Sequence, residues 1–133
     1  MYLLDTVVLS EIRKRQRNPE VVEWLRHQRD TDLFLSVVTI GEIERCISLQ
    51  KEKNAQFSDE LAKWLDKVLH LYADRILPVD LETSRLWGRL SAELGNQGPD
   101  ILIASTALVH GLTVVTRNER HFTPTKVNVL NPF

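Results

Sequence analysis

Short apolar runs alternate along the chain with longer, interrupted apolar stripes. Tyr2-Leu3-Leu4, Leu33-Phe34-Leu35-Ser36-Val37 and Leu112-Thr113-Val114-Val115-Thr116 are nearly continuous runs. That pattern marks strands buried on both faces of a parallel sheet. Ile76-Leu77 and Val127-Asn128-Val129-Leu130 predict two further strand pieces, the latter at a sheet edge. Between them the period changes to that of helices. Val21, Val22, Trp24 and Leu25 form an apolar face after Pro19, a residue suited to a first helical turn. A helix over Thr39 to Gln50 follows the second run directly. Leu61, Leu65, Val68, Leu69 and Tyr72 recur at helical spacing and predict a strongly amphipathic helix. Leu86, Leu90 and Leu94 form the next stripe, stopped by Gly95 and Gly98, and Ile101, Ala104 and Leu108 follow Pro99 and stop at Gly111. The alternation predicts an α/β fold in one domain, residues 1–133, with a mostly parallel sheet covered on both faces. Trp24, Val21 and the Leu61–Tyr72 stripe offer more apolar surface than one sheet face requires, which predicts a homodimer face or a groove for a partner helix.

Composition narrows this picture without redirecting it. Hydrophobic residues are 43% and charged residues 26% of the 133, which is ordinary globular usage and argues against disorder. One cysteine, Cys46, excludes an internal disulfide and a cysteine-based zinc cluster. The most apolar stretch, Ile101 to Val115, is broken by Ser105, Thr106, His110, Gly111 and Thr113 and predicts no membrane span. The first residues carry neither a basic leader nor an apolar signal core, so a cytoplasmic location is expected. The net charge of −1 gives no general attraction to nucleic acid, so any such binding must come from local basic patches.

The candidate chemistry lies in three acids. Ligands of open α/β sheets gather beyond the carboxyl ends of the strands. Asp5 ends the first strand, Glu42 lies near the start of the helix after the second, Asp100 opens the helix after Pro99, and Thr116 and Asn118 end the third long run. Each acid has a plain structural role available: Asp5 and Asp100 as helix caps, and Glu42 as the return arm of a capping box Thr39-Ile40-Gly41-Glu42. Together they place three carboxylates at one end of the sheet. Two carboxylates about 4 Å apart repel by roughly 4 kcal/mol at an effective dielectric near 20, so such a cluster calls for a cation. Oxygen-only donors select magnesium or manganese over zinc.

Leu3-Leu4-Asp5-Thr6, the Glu42 segment, Pro99-Asp100-Ile101-Leu102-Ile103-Ala104 and Val115-Thr116-Arg117-Asn118 occur in order, and the set resembles the four motif regions of PIN-domain ribonucleases. The likeness is to the toxins of bacterial and archaeal toxin–antitoxin pairs, the VapC type with its FitB-like branch, and it spans essentially the whole chain. It implies a three-layer α/β/α sandwich with a mostly parallel central sheet that hydrolyses RNA with Mg²⁺ or Mn²⁺. It also implies a homodimer and inhibition by a cognate antitoxin protein. Carried over, Asp5, Glu42 and Asp100 are the metal-binding acids, with Thr6, Thr116, Asn118 and His121 around them. Arg13, Lys14 and Arg117 are the candidates for contact with RNA.

Two positions depart from that pattern. Val7 stands where the family commonly has asparagine, and His121 where a fourth acid commonly precedes the phenylalanine. Imidazole is a weaker partner for Mg²⁺ than carboxylate, and aspartate at this position should strengthen Mg²⁺ binding. These departures keep a rival reading open, a nuclease-like module that binds RNA or a partner without cutting. A metal-free mechanism through paired histidines is the other rival, although His27, His70, His110 and His121 share no motif.

Overall fold

The computed structural model describes residues 1–96 and 98–133. Among the described residues five short strands, β1 (Tyr2–Leu4), β2 (Leu33–Ser36), β3 (Ile76–Leu77), β4 (Thr113–Val115) and β5 (Val129–Leu130), form one sheet in the order β3-β2-β1-β4-β5, and each of these pairings is parallel. The helices are α1 (Thr6–Arg13), α2 (Pro19–Arg26), α3 (Val37–Lys53), α4 (Ala55–Leu71), α5 (Leu81–Leu94), α6 (Pro99–His110) and α7 (Glu119–Phe122). β1 shows why the sheet is covered on both sides. Leu3 and Leu4 point to opposite faces, and both are fully buried. Leu4 joins Val8, Leu35, Ile43, Leu61 and Leu65 in one core; Leu3 joins Ile103, Ala107, Val114 and Phe122 in the other. The fold is the expected three-layer α/β/α arrangement.

The strand order sets the position of the site. From β1 the chain moves outward through β2 to β3, then crosses back to lay β4 on the other side of β1. The connections therefore diverge at the β1–β4 pair, and the crevice beyond the carboxyl ends of such a pair is where parallel sheets present side chains to ligands. Asp5 and Thr116 are the residues that leave this pair. Arg75 secures the far edge: its guanidinium donates to the carbonyls of Asp30, Leu33 and Leu71 and lies 4.7 Å from the Tyr72 ring centre. Gly111, at φ 66°, ends α6 in the left-handed region and turns the chain into β4.

Two expectations are corrected. The helix after β2 begins at Val37, not Thr39, because the Ser36 hydroxyl accepts the Val38 N–H and caps it there. Glu42 thus lies past the first turn, and there is no capping box. Nor do Val21 and the Leu61–Val68 stripe form a free surface. Val21, Leu61, Leu65 and Val68 are buried in the first core, and Trp24 meets the Tyr2 ring edge-on at 5.0 Å between centres. The exposed large apolar side chains are others, among them Leu49, Leu81 and Leu71, which lies at the end of α4 off its buried stripe. Among the described residues no helix is long and apolar enough to cross a membrane.

Candidate functional site

Asp5 sits where β1 turns into α1. Its backbone N–H completes the ladder to the Val115 carbonyl, and its carbonyl receives the N–H groups of Val8 and Leu9. The side chain serves two masters. Oδ1 accepts the Thr6 N–H at 2.8 Å, which makes Asp5 the N-cap of α1, and Oδ2 accepts the Thr116 hydroxyl at 2.8 Å across the β1–β4 divide. The structural role and the candidate functional role therefore coexist. Thr116 is itself fixed, for its Oγ1 accepts the Asn118 N–H at 2.9 Å. Asn118 thus acts through its backbone, while its side chain is exposed.

Glu42 reaches the same end of the sheet from α3. Its Oε1 accepts the Thr6 hydroxyl at 2.7 Å, and that hydroxyl also lies 3.2 Å from the buried Thr39 Oγ1. Asp100, the second residue of α6 after Pro99, brings the third acid. Its Oδ2 stands 2.9 Å from Nδ1 of His121 in α7, so the departure residue contacts an acid of the set directly.

Electrostatics tie these pieces together. Asp5 is 4% exposed, and its pKa is raised to about 6. Burial is the main cause, and the negative charges of Asp100 and Glu42 add to it against the lowering effect of the Thr116 and Thr6 hydrogen bonds. A carboxylate so placed lacks a compensating positive charge, and the oxygen donors around it suit a hard divalent ion. The donor chemistry fits. A ready cage is absent: among the described residues no group of three His, Cys, Asp or Glu side chains is set to hold a metal ion.

The three basic candidates separate. Arg13 packs over the Phe57 ring at 5.1 Å and lines a hollow shared with Thr6 and Glu42. Lys14 is paired with Glu11 at 3.1 Å, and together with the Asn18 N–H it holds the Glu11 carboxyl below the usual range. Arg117 lies over the Phe133 ring at 4.2 Å. A second hollow, beside Asp100 and His121, is lined by Arg120. Arg45 and Phe57 beside Glu42 escaped sequence reasoning. Glu42, Arg45, Cys46 and Gln50 do recur at the spacing of one helix face, and that signal could have drawn attention to them.

Known proteins with this sequence pattern and shape exist. Toxin FitB of Neisseria gonorrhoeae is 34% identical over the whole chain and 99% of its own length. VapC ribonuclease Y4jK of Sinorhizobium fredii is 31% identical over the whole chain and 98% of its own. The crystal structure of FitAcB from Neisseria gonorrhoeae superposes with a TM-score of 0.86 at 35% identity, covering 99% of this chain and 98% of that one. The sequence description of the PIN domain matches residues 2–126. With sheet order, helix layers and full-length relatives in agreement, the chain belongs to the PIN-domain family.

Proposed function

We propose that the whole chain, residues 1–133, is a divalent-metal-dependent endoribonuclease, the toxin of a toxin–antitoxin pair, acting in the cytoplasm. The observation that carries this is Asp5, a buried carboxylate raised to a pKa of about 6 beside two further acids at the divergence point of a parallel sheet. The names of the full-length relatives, a toxin and a ribonuclease, support the same reading. Asp5, Glu42 and Asp100 would hold Mg²⁺ or Mn²⁺, which when bound supplies positive charge to the scissile phosphate and makes water a better nucleophile. Thr116 and the Thr6 N–H orient the Asp5 carboxylate, the Thr6 hydroxyl orients Glu42, and His121 holds Asp100. Arg13, beside Glu42, offers charge to the RNA backbone.

A cognate antitoxin protein is the partner, and self-association completes the assembly. We assign the homodimer face to α5, in which Thr83 is the buried residue while Leu81 is 77% exposed and Leu86, Leu90 and Leu94 are half-buried. The test of activity is incubation with varied RNAs in Mg²⁺, Mn²⁺ or chelator, followed by end mapping. Metal-dependent cuts leaving 5′-phosphate and 3′-hydroxyl ends are expected. A 2′,3′-cyclic phosphate end formed in chelator would overturn the metal reading. The contact of His121 with Asp100 favours one alternative, a module that binds RNA without cutting it. RNA bound but uncut in every metal is its signature.

A further inference from the structure

The acids do not face open solvent on every side. Between α1, α3 and α4 lies a hollow of about 270 Å³ that opens beside Glu42 and Thr6. Its walls are Phe57 and Trp64 of α4, both half-buried, and its rim carries Arg13 and Arg45. The Arg13 guanidinium rests on the Phe57 ring at 5.1 Å. We propose that this hollow is a nucleobase subsite: it takes one unstacked base of a single-stranded RNA, and Arg13 and Arg45 bind the phosphates on either side of that base. The proposal rests on the ribonuclease reading and gives it a substrate geometry.

Three observations converge. The first is size: pockets that enclose drug-sized ligands run from about 300 to 1,000 Å³, so this hollow suits one planar group. The second is chemistry: apolar, aromatic walls below a cationic rim match a base with its charged backbone above it. The third is charge and place. A chain of net charge −1 offers RNA no general attraction, and two arginines next to Glu42 supply the local positive potential that draws a phosphate to this end of the sheet.

Cys46, the chain's single cysteine, is exposed and lines this hollow, so it reports on occupancy without any engineering. Maleimide modification of Cys46 is timed in chelator with and without a short unstructured RNA, and binding of the same RNA is measured with one abasic nucleotide moved along it. RNA is expected to slow modification. One abasic position is expected to weaken binding by at least about fivefold, the low end for one base–aromatic stack. Trp64→Ala should erase that position dependence and Trp64→Phe should keep it, each checked by melting. Arg45→Ala, an exposed rim change, should weaken all RNAs alike and lower the salt slope by about one. RNA that is cut while Cys46 stays fully reactive and no abasic position matters would overturn the subsite and leave the nuclease standing. RNA that is neither bound nor cut would overturn both.

Discussion

Replacing Asp5 with asparagine should make the metal-free protein more stable, although Asp5 makes two good hydrogen bonds. The reason lies in its pKa, raised to about 6 from the ordinary aspartate value of 3.8. The folded protein holds the Asp5 proton more tightly than the unfolded chain does. The contribution to stability is therefore full below about pH 4, falls as the pH rises through the interval to about 6, and is gone above it. With each pKa unit worth about 1.4 kcal/mol, the ionised group costs the fold about 3 kcal/mol at pH 7.5. Asparagine removes that charge and still accepts the Thr6 N–H, but the Thr116 hydroxyl loses its acceptor, a loss of about 1 kcal/mol. The net gain is about 2 kcal/mol. With an unfolding entropy of about 2.1 cal/mol/K per residue, this is roughly 7 °C in Tm for a chain of this length. Calorimetry or dye-based melting in chelator from pH 4 to 8 measures it, the difference between the two proteins opening between about pH 4 and 6. Millimolar Mn²⁺ or Mg²⁺ should then raise the Tm of the parent and leave the variant unchanged. A variant that melts at or below the parent in chelator at pH 7.5, with no pH dependence in the difference, refutes the account.

Asp100→Ala and Glu42→Ala should each lower RNA cleavage more than about a hundredfold while Tm in chelator holds or rises, read by single-turnover assays and melting curves. Thr6→Val removes the hydroxyl that orients Glu42 and should weaken divalent-ion affinity about tenfold, measured by calorimetric titration. His121→Asp replaces a partner of Asp100 with a like charge, so it should lower Tm in chelator and strengthen Mg²⁺ binding; unchanged values of both would make His121 a bystander.

What could be read from the chain was set by periodicity, and what could not was set by local hydrogen bonds and helix register. β1 was legible because Leu3 and Leu4 are buried on opposite faces, leaving no polar gap in the run. The start of α3 was misplaced because β-branched Val37 and Val38 read as strand and Thr39 with Glu42 imitates a capping box. The Ser36 hydroxyl decides the matter instead. α4 starts at Ala55, earlier than its apolar stripe suggests, because Asn54 accepts the Phe57 N–H and caps the helix there. Topology alone assigned Asp5 and Asp100 to one end of the sheet, since one follows β1 and the other opens α6; Glu42, past the first turn of α3, reaches that end through its bond from the Thr6 hydroxyl. The hollow beside Glu42 could not, because apolar periodicity gives each helix a face without saying how α3 and α4 slide against each other.

The position of β1 also governs when the acids can meet. This strand is made first but lies in the middle of the sheet, and its neighbour β4 is made near the end. The bond from Thr116 to Asp5 joins residues 111 apart in the chain. A ribosome adding about 5–20 residues per second needs roughly 6–20 s to travel between them. For most of that time the emerging chain has Asp5 without Asp100, and for all of it Asp5 without Thr116 or the crevice that β4 creates. Synthesis itself thus acts as a safety interval, in which the acids exist without the crevice that sets them together.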